Sequence, residues 1–143
     1  MKLVIQRVKG ATLSVDGEIV SEIEKGLCVY FGVEKNDKIE DGQYFAKKTA
    51  NMRIFEDENG KMNLSVLDIK GEILLISQFT LCADCRRGNR PDFMTAEEPQ
   101  KAKEVYIAFA DLLRAYGVPV KMGVFGADMK IAQHNDGPVT IIL

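Results

Sequence analysis

The segment Ser77–Leu81, with the sequence SQFTL, places two hydroxyl groups and an amide at the end of the most apolar strand-like stretch of the chain. Sites are common where a rigid strand gives way to a loop. A hydroxyl acts as a nucleophile only when a base activates it, and His134 is the only imidazole in the sequence. Nothing in the sequence places His134 beside Thr80. The alternative is that Thr80 is a β-branched strand residue and Gln78 a hydrogen-bonded polar group.

A second segment, Asn135–Pro138 with the sequence NDGP, predicts a turn between two strands near the C-terminus. Its Gly-Pro step stands out only because about one in twenty X-Pro bonds in folded proteins is cis. From residue types alone, this tetrad is an ordinary turn.

The pair Cys82 and Cys85 has the spacing of a redox pair or of half a zinc site. A four-ligand zinc site lacks ligands, because Cys28 is the only other cysteine and His134 the only histidine. We therefore expect no metal and no cofactor. A thioredoxin-like pair would begin a helix, whereas this pair precedes a loop that contains Gly and Pro. An odd number of cysteines without a secretory signal favours reduced thiols.

The overall composition excludes several classes of protein. A chain of 143 residues, 46% apolar and 28% charged, is typical of one folded globular domain. No apolar run is long enough to span a bilayer, with Ile73–Ile76 being only strand-sized, and residues 1–8 predict a strand rather than a secretory signal. The net charge of −2 disfavours coating of nucleic acid by bulk attraction but is compatible with local phosphate contacts. We expect one cytoplasmic domain over residues 1–143, with no membrane contact.

Hydrophobic alternation predicts many short strands. The predicted strands are Lys2–Val8, Thr12–Val15, Glu18–Ile23, Gly26–Val33, Ile73–Leu81, Val120–Met122, Ala127–Gln133 and Val139–Leu143. Asp16-Gly17 favours a type I′ hairpin between the second and third of these. Gly26–Val33 is mostly apolar, as expected for a buried central strand.

Two segments have helical periodicity, Ile39–Met52 and Ala96–Tyr116. Thr95 and Glu98 have the spacing of a capping box at the start of the second helix, and Gly117 suits its end. Many strands and two helices without a βαβ rhythm predict an α+β fold. We expect a barrel-like antiparallel or mixed β-sheet with the two helices packed against it, in a single domain.

Several segments, taken together, are similar to one family over essentially the whole chain. The matching segments are Val4–Val8 (VIQRV), Gly26–Val33 (GLCVYFGV), Ser77–Leu81 (SQFTL), Arg90–Phe93 (RPDF), Phe125–Lys130 (FGADMK) and Asn135–Thr140 (NDGPVT). They stand in the order and spacing of the D-aminoacyl-tRNA deacylases, the D-tyrosyl-tRNA(Tyr) deacylase family, which the chain resembles.

The resemblance implies a proofreading hydrolase that cleaves the ester of D-aminoacyl-tRNA, with glycyl-tRNA as a further substrate. It implies a homodimer with each active site completed at the subunit interface. A cis Gly137-Pro138 dipeptide would enter the neighbouring subunit's pocket, where its carbonyls fill the space of an L-amino acid's side chain. A rigid wall of this kind would reject L-aminoacyl-tRNA. Asn135 belongs to the same motif.

The resemblance also assigns the catalytic segment. Backbone N–H groups around Gln78, Phe79 and Thr80, in the frame that begins at Ser77, would surround the scissile carbonyl and stabilise its oxyanion. Either Thr80 is a nucleophile, or the 2′-hydroxyl of the tRNA ribose assists a water molecule. The absence of an identifiable base for Thr80 favours the second mechanism.

Arg7 shares a strand face with Leu3 and Ile5, so we expect its guanidinium to point inward and to require acceptors. The resemblance implies that these acceptors are carbonyls that hold the Gly-Pro loop. Phe125 and Met129 are expected either to pack on the terminal adenine or to serve as core residues.

The loop residues Arg86, Arg87 and Arg90 are expected to contact acceptor-stem phosphates, although a solvated basic loop is the plainer interpretation. Three alternatives remain at this point. The chain could be a related editing hydrolase with a different chiral or amino-acid choice, a non-catalytic RNA-binding module, or a thiol-redox protein that uses Cys82 and Cys85.

Overall fold

The computed structural model describes all 143 residues, which form eight strands, two α-helices and one 3-10 helix. The strands are β1 (Lys2–Val15), β2 (Glu18–Ile23), β3 (Gly26–Gly32), β4 (Phe55–Glu56), β5 (Met62–Leu64), β6 (Glu72–Ser77), β7 (Val120–Met122) and β8 (Lys130–Ile142). The helices are α1 (Ile39–Asn51) and α2 (Pro99–Ala115), and the 3-10 helix is Phe79–Cys82. Neither α-helix combines the length and the hydrophobicity that a bilayer span requires.

Six strands form one mixed sheet in the order β2-β1-β3-β6-β7, with β8 also paired to β1. β6 is parallel to both β3 and β7, and the other pairs are antiparallel. Side chains connect the two ends of this order. The Ser21 hydroxyl donates to the Met122 carbonyl at 2.7 Å, and the Lys121 ammonium donates to the Glu22 carbonyl at 2.6 Å. The sheet is therefore a nearly closed barrel, and with its two helices it confirms the predicted α+β fold.

Two apolar clusters lie on opposite faces of the sheet. The larger one, with 20 buried residues, joins the sheet to both helices, and in it Phe31 stacks on Phe109 with ring centroids 4.4 Å apart. The smaller one has 7 buried residues, among them Leu74 and Ile76. Successive residues of β3 and β6 alternate between the two clusters. Because both faces of these central strands are buried, their sequences are almost continuously apolar.

Several predicted elements are confirmed. The bounds of β2 and β7 are those predicted, and α1 begins at the predicted residue and ends one residue early. Asp16 and Gly17 both have positive φ, 51° and 86°, as a type I′ hairpin requires. These elements are fixed by local patterns, and local patterns are visible in the sequence.

Strand pairing joins segments that the local pattern separates. The first two predicted strands are one strand, β1, because Gly10 pairs with His134 and the ladder continues between them. The predicted strands Ala127–Gln133 and Val139–Leu143 are likewise one strand, β8, which runs through the predicted turn Asn135–Pro138. The prediction of a turn between two separate strands is therefore wrong.

The start of α2 also differs from the prediction, at Pro99 instead of Ala96. Glu98 is the N-cap, and Pro99 takes the first helical position, where no N–H is required. The Thr95 hydroxyl donates to the carbonyl of Cys82 at 3.0 Å and does not cap the helix. The predicted capping box is therefore wrong, because a tertiary contact takes the threonine.

The contact between β3 and β6 leaves no room for a side chain at Gly26, where a Cβ would lie 1.9 Å from the Glu72 carbonyl oxygen. We expect Gly26→Ala to lower the free energy of unfolding by about 3 kcal/mol in urea denaturation, because the two strands must separate. Gly10→Ala is the matched control, since a Cβ there meets only the Ile23 carbonyl oxygen at 3.5 Å. Equal losses in the two variants would contradict this account.

Candidate active site

The predicted catalytic segment straddles the end of β6. Ser77 is the last residue of the strand and pairs with Phe31, and the N–H of Gln78 donates to the Phe31 carbonyl at 2.8 Å. The chain then turns into the 3-10 helix, so the predicted extension of the strand beyond Ser77 is wrong. Because they are the first residues of a helical turn, Phe79 and Thr80 have no acceptor within the helix for their N–H groups.

A cleft of about 520 Å³ opens beside this turn, and 11 of its 16 lining residues are hydrophobic. The residues that line it include Ser77, Gln78 and Phe79, and also Phe125 and Met129 from the segment between β7 and β8. Five of the predicted site residues therefore meet in one cleft. A concave, mostly apolar surface with a few polar groups is typical of a ligand site.

Tyr106 of α2 also lines the cleft, although the sequence patterns did not predict it as a site residue. Its hydroxyl donates to the Leu75 carbonyl at 2.7 Å, and its ring centroid lies 5.9 Å from that of Phe125. The same carbonyl accepts the N–H of Gly123 at 3.0 Å, so these bonds fix the point where β6 and residues 123–129 diverge. Burial raises the pKa of Tyr106, which keeps the hydroxyl protonated. The only signal in the sequence is a tyrosine within an apolar helical stripe.

The Thr80 hydroxyl has no basic partner. It forms its hydrogen bond with the side-chain amide of Gln78, and no carboxylate or imidazole bonds to it. His134 lies on β8 opposite Gly10 and is exposed. Thr80 does not line the cleft, although its neighbours Gln78 and Phe79 do. The turn thus presents backbone donors but no base that would activate a nucleophile.

The ladder between β1 and β8 contains a large bulge. After the pair Gln6–Thr140 the register shifts, and Arg7 alone stands opposite Asp136–Val139. The Gly137-Pro138 peptide bond within this bulge is cis. A bulge leaves its residues unpaired and redirects the backbone locally. The segment Asn135–Pro138 is therefore part of β8, and most of it lies within the bulge.

Position 137 accepts only glycine. Its φ is +135°, and a Cβ would lie 2.8 Å from the backbone nitrogen and 2.9 Å from the Cγ2 atom of Val139. Gly137 and Pro138 are both exposed. The bulge thus presents main-chain atoms at the surface.

Arg7 anchors the bulge from the core side and is only 5% exposed. Its Nε donates to the Asp136 carbonyl at 3.0 Å and lies 3.4 Å from the Asp136 carboxylate, while Nη1 donates to the Ile54 carbonyl at 2.6 Å. The inward orientation agrees with the strand alternation. One guanidinium thereby joins the bulge to the segment that follows α1.

The bulge and the cleft do not meet within one chain. None of Arg7, Asn135, Gly137 and Pro138 lines the cleft. One chain therefore divides the predicted site residues into two groups, a cleft group and a bulge group.

The basic loop, residues 85–91, is closed by two backbone hydrogen bonds of 2.8 and 2.9 Å between the aspartates that flank it. The Arg86 guanidinium donates to both carboxylate oxygens of Asp84, and these bonds hold the pKa of Asp84 at about 2. Arg87 and Arg90 are exposed and form no ion pair. Of the three predicted phosphate contacts, Arg86 is therefore already paired, and the other two are available to an anion.

The cysteine pair is split between two environments, since Cys82 is buried and Cys85 is exposed, and both are free thiols. Burial raises the pKa of Cys82, whereas a reactive thiol requires a lowered pKa. The structure contains no group of three or more His, Cys, Asp or Glu residues that could hold a metal ion. The raised pKa disfavours the thiol-redox alternative.

The chain is similar to known proteins over its whole length. The family described as D-Tyr-tRNA(Tyr) deacylase matches residues 4–143. The D-aminoacyl-tRNA deacylase of Fervidobacterium nodosum is 54% identical over 143 residues, which are 100% of this chain and 96% of the relative. The protein of the same name from Clostridium beijerinckii has the same identity and coverage.

Two solved structures share the architecture. The c-Myc DNA Unwinding Element Binding Protein has a TM-score of 0.93 and 42% identity, over 100% of this chain and 97% of that one. A probable eukaryotic D-amino acid tRNA deacylase has a TM-score of 0.84 at 17% identity, over 99% and 97% of the two chains, which shows the fold alone. The relatives together with the fold define an enzyme of the deacylase class, a hydrolase. The chain belongs to the D-Tyr-tRNA(Tyr) deacylase family.

Replacing Arg7 by methionine would leave the Asp136 and Ile54 carbonyls without their charged donor. We expect Arg7→Met to lower the free energy of unfolding by about 3 kcal/mol in chemical denaturation, because buried polar groups then lack partners. Arg86→Met is the matched control, since it removes an exposed arginine whose ion pair is screened by solvent, and its denaturation midpoint should barely move. If the free energy of unfolding changes little in both variants, Arg7 does not anchor the bulge.

Proposed function

We propose that the protein hydrolyses the ester bond between a D-amino acid and the 3′-terminal ribose of tRNA, releasing the free amino acid and the tRNA. The observation that carries this proposal is the family match over residues 4–143. The cleft beside Ser77 supports it, because its volume and apolar lining suit the aminoacylated end of a nucleic acid. Glycyl-tRNA is a second proposed substrate, and no cofactor takes part.

In the proposed mechanism a water molecule attacks the carbonyl carbon of the ester. The carbonyl oxygen becomes an oxyanion, to which the backbone N–H groups of Phe79 and Thr80 donate. The bond between the carbonyl carbon and the ribose 3′ oxygen then breaks. That oxygen receives the proton that the water loses, and the neighbouring 2′-hydroxyl relays it. The 2′-hydroxyl thus replaces the base that Thr80 lacks, while Ser77 and Gln78 frame the turn.

The cleft also suits the terminal adenine. Phe125 and Met129 line it, and aromatic and soft apolar side chains hold unpaired bases by stacking. Phe79 is 59% exposed at the cleft and packs edge-on against Phe93, with ring centroids 5.0 Å apart. We propose that the adenine lies against Phe125 and Met129, which directs the ester toward the turn after β6.

For chiral selection we propose a homodimer in which the bulge of one subunit enters the cleft of the other. Gly137 and Pro138 are exposed and line no part of the cleft of their own chain, which supports their delivery by a partner. Their carbonyls would occupy the space of an L side chain, whereas a D residue or glycine avoids that clash. Arg7 holds the bulge in place, and Asn135 leads into it. Selectivity of this kind comes from penalising the wrong substrate.

The body of the tRNA is proposed to contact the basic loop. Arg87 and Arg90 are exposed and unpaired there, so they suit acceptor-stem phosphates, and contacts of this type weaken as salt increases. We propose a cytoplasmic location, where charged tRNA is used in translation.

A non-catalytic nucleic-acid-binding module is the second candidate function. One observation favours it. A similar solved structure is called c-Myc DNA Unwinding Element Binding Protein, and that name attributes DNA binding to that protein. The net charge of −2 disfavours it, because binding without chemistry depends on bulk attraction to phosphates.

Purified protein should release the amino acid rapidly from D-tyrosyl-tRNA and from glycyl-tRNA but not from L-tyrosyl-tRNA. The measurement is the loss of radiolabelled amino acid from the three matched tRNAs, with buffer alone as the control. Ester loss at the spontaneous rate for all three would leave the binding module as the function. Equal rates on the D and L substrates would identify an editing hydrolase with a different selectivity.

The mechanism predicts that Thr80→Ala retains substantial deacylation, because no base activates the hydroxyl. A D-tyrosyl-tRNA whose terminal 2′-hydroxyl is replaced by hydrogen should lose most of its enzymatic hydrolysis, by about 100-fold or more, a loss typical of a removed proton relay. Single-turnover rates with both tRNAs and both proteins measure the two effects. The reverse pattern would make Thr80 the nucleophile.

A further inference from the structure

A chain of side-chain hydrogen bonds lies on the sheet face opposite Arg7. The Gln133 amide donates to the Gln6 Oε1 atom at 2.5 Å and to the Asn135 Oδ1 atom at 2.9 Å. The Gln6 amide in turn donates to the Thr140 hydroxyl at 3.3 Å. The Tyr30 hydroxyl donates to the Gln133 Oε1 atom at 3.1 Å. We call these five residues the polar clasp.

The polar clasp spans the bulge. Asn135 is the last residue of β8 that pairs with β1 before the bulge, and Thr140 is the first that pairs after it. Both are exposed at the surface, and the four residues between them have no ladder partner. Through Gln6 and Gln133 the two ends of the bulge are therefore connected side chain to side chain.

The contacts of Arg7 fix only part of the bulge. Its guanidinium reaches the carbonyl and the carboxylate of Asp136, at the N-terminal side. The side chain of Gln6 bonds to Thr140 at the C-terminal side. Because side chains of consecutive strand residues point to opposite faces, Gln6 and Arg7 hold the bulge from the two faces of the sheet.

We propose that Gln6 and Gln133 are positioning residues that set where the Gly137-Pro138 carbonyls lie, and that they thereby determine chiral selectivity. This role rests on the proposed function, since it requires that the bulge forms the wall that excludes L side chains. Neither Gln6 nor Gln133 lines the cleft, and the proposal gives neither a contact with the substrate. They act through the bulge.

Glutamine suits positions 6 and 133 because its side-chain amide both donates and accepts hydrogen bonds. Gln6 accepts from Gln133 and donates to Thr140, and Gln133 donates twice and accepts from Tyr30. Tyr30 belongs to β3, the strand between β1 and β6, so the polar clasp is tied to the middle of the sheet. Leucine fills a similar volume but supplies none of these bonds.

The test compares Gln6→Leu and Gln133→Leu with the unmodified protein on D- and L-tyrosyl-tRNA. We expect the ratio of the L rate to the D rate to rise roughly tenfold, the change that corresponds to the loss of about one ordering hydrogen bond. Gln43→Leu is the matched control, since Gln43 is an exposed glutamine of α1 with no side-chain hydrogen bond, and its ratio should not change. Tyr30→Phe removes one outer bond and should have a smaller effect.

Backbone amide exchange of residues 136, 137, 139 and 140 is measured on the same variants and does not depend on activity, and Pro138 is left out because it has no N–H. Faster exchange there than in the control, with thermal unfolding midpoints near that of the unmodified protein, is the expected result. An unmodified protein that does not distinguish D from L substrates would refute the proposed function, and the exchange data would still test the positioning. Should a glutamine variant be unstable, Gln6→Asn and Gln133→Asn shorten the side chains and retain their polarity, with the same expected rise. Unchanged ratios and unchanged exchange in folded variants would overturn the proposed role.

Discussion

The buried guanidinium of Arg7 follows Leu3 and Ile5 along the face of β1 that packs in the larger apolar cluster. A charge in such a place requires acceptors, and the carbonyls of a regular ladder are already used. The bulge in β8 supplies the Asp136 carbonyl, and the segment after α1 supplies that of Ile54. The arginine and the bulge therefore require each other. A regular β8 would leave the guanidinium without this acceptor, and an apolar residue at position 7 would leave carbonyls unpaired in the interior.

This dependence places β1 at the centre of the molecule. The strand pairs with β2, β3 and β8, so any displacement of it would disturb all three neighbours. Its consecutive residues Gln6 and Arg7 contact the bulge from opposite faces. Its neighbour β3 pairs with β6 and so fixes the start of the turn that follows Ser77. One hydrogen-bonded layer thus positions both groups of predicted site residues.

The groups of the proposed site are mostly main-chain atoms. In the proposal the turn after β6 supplies N–H groups and the bulge supplies the carbonyls of Gly137 and Pro138, whereas the Thr80 hydroxyl has only an amide partner. Ester hydrolysis needs stabilisation of a developing oxyanion, which preorganised amides supply without any ionisable side chain. Residue types therefore give little indication of the proposed catalytic groups, because nearly every residue type carries the same backbone N–H and carbonyl groups. The family was identified from the order and spacing of the matching segments, because the residue types alone did not indicate it.

The sequence by itself determined the α+β class, the two helices, the Asp16-Gly17 hairpin and the family, because periodicity, turn residues and motif order are local properties. It also predicted the inward orientation of Arg7 from alternation. Only the tertiary structure decided that β8 is continuous through Asn135–Pro138 and that the strand of Ser77 ends in a helical turn. It also brought Phe125 and Met129 to the same cleft as Gln78. These features depend on contacts between residues far apart in the sequence, such as Gln6 with Thr140 and Phe31 with Ser77, and no local pattern encodes such contacts.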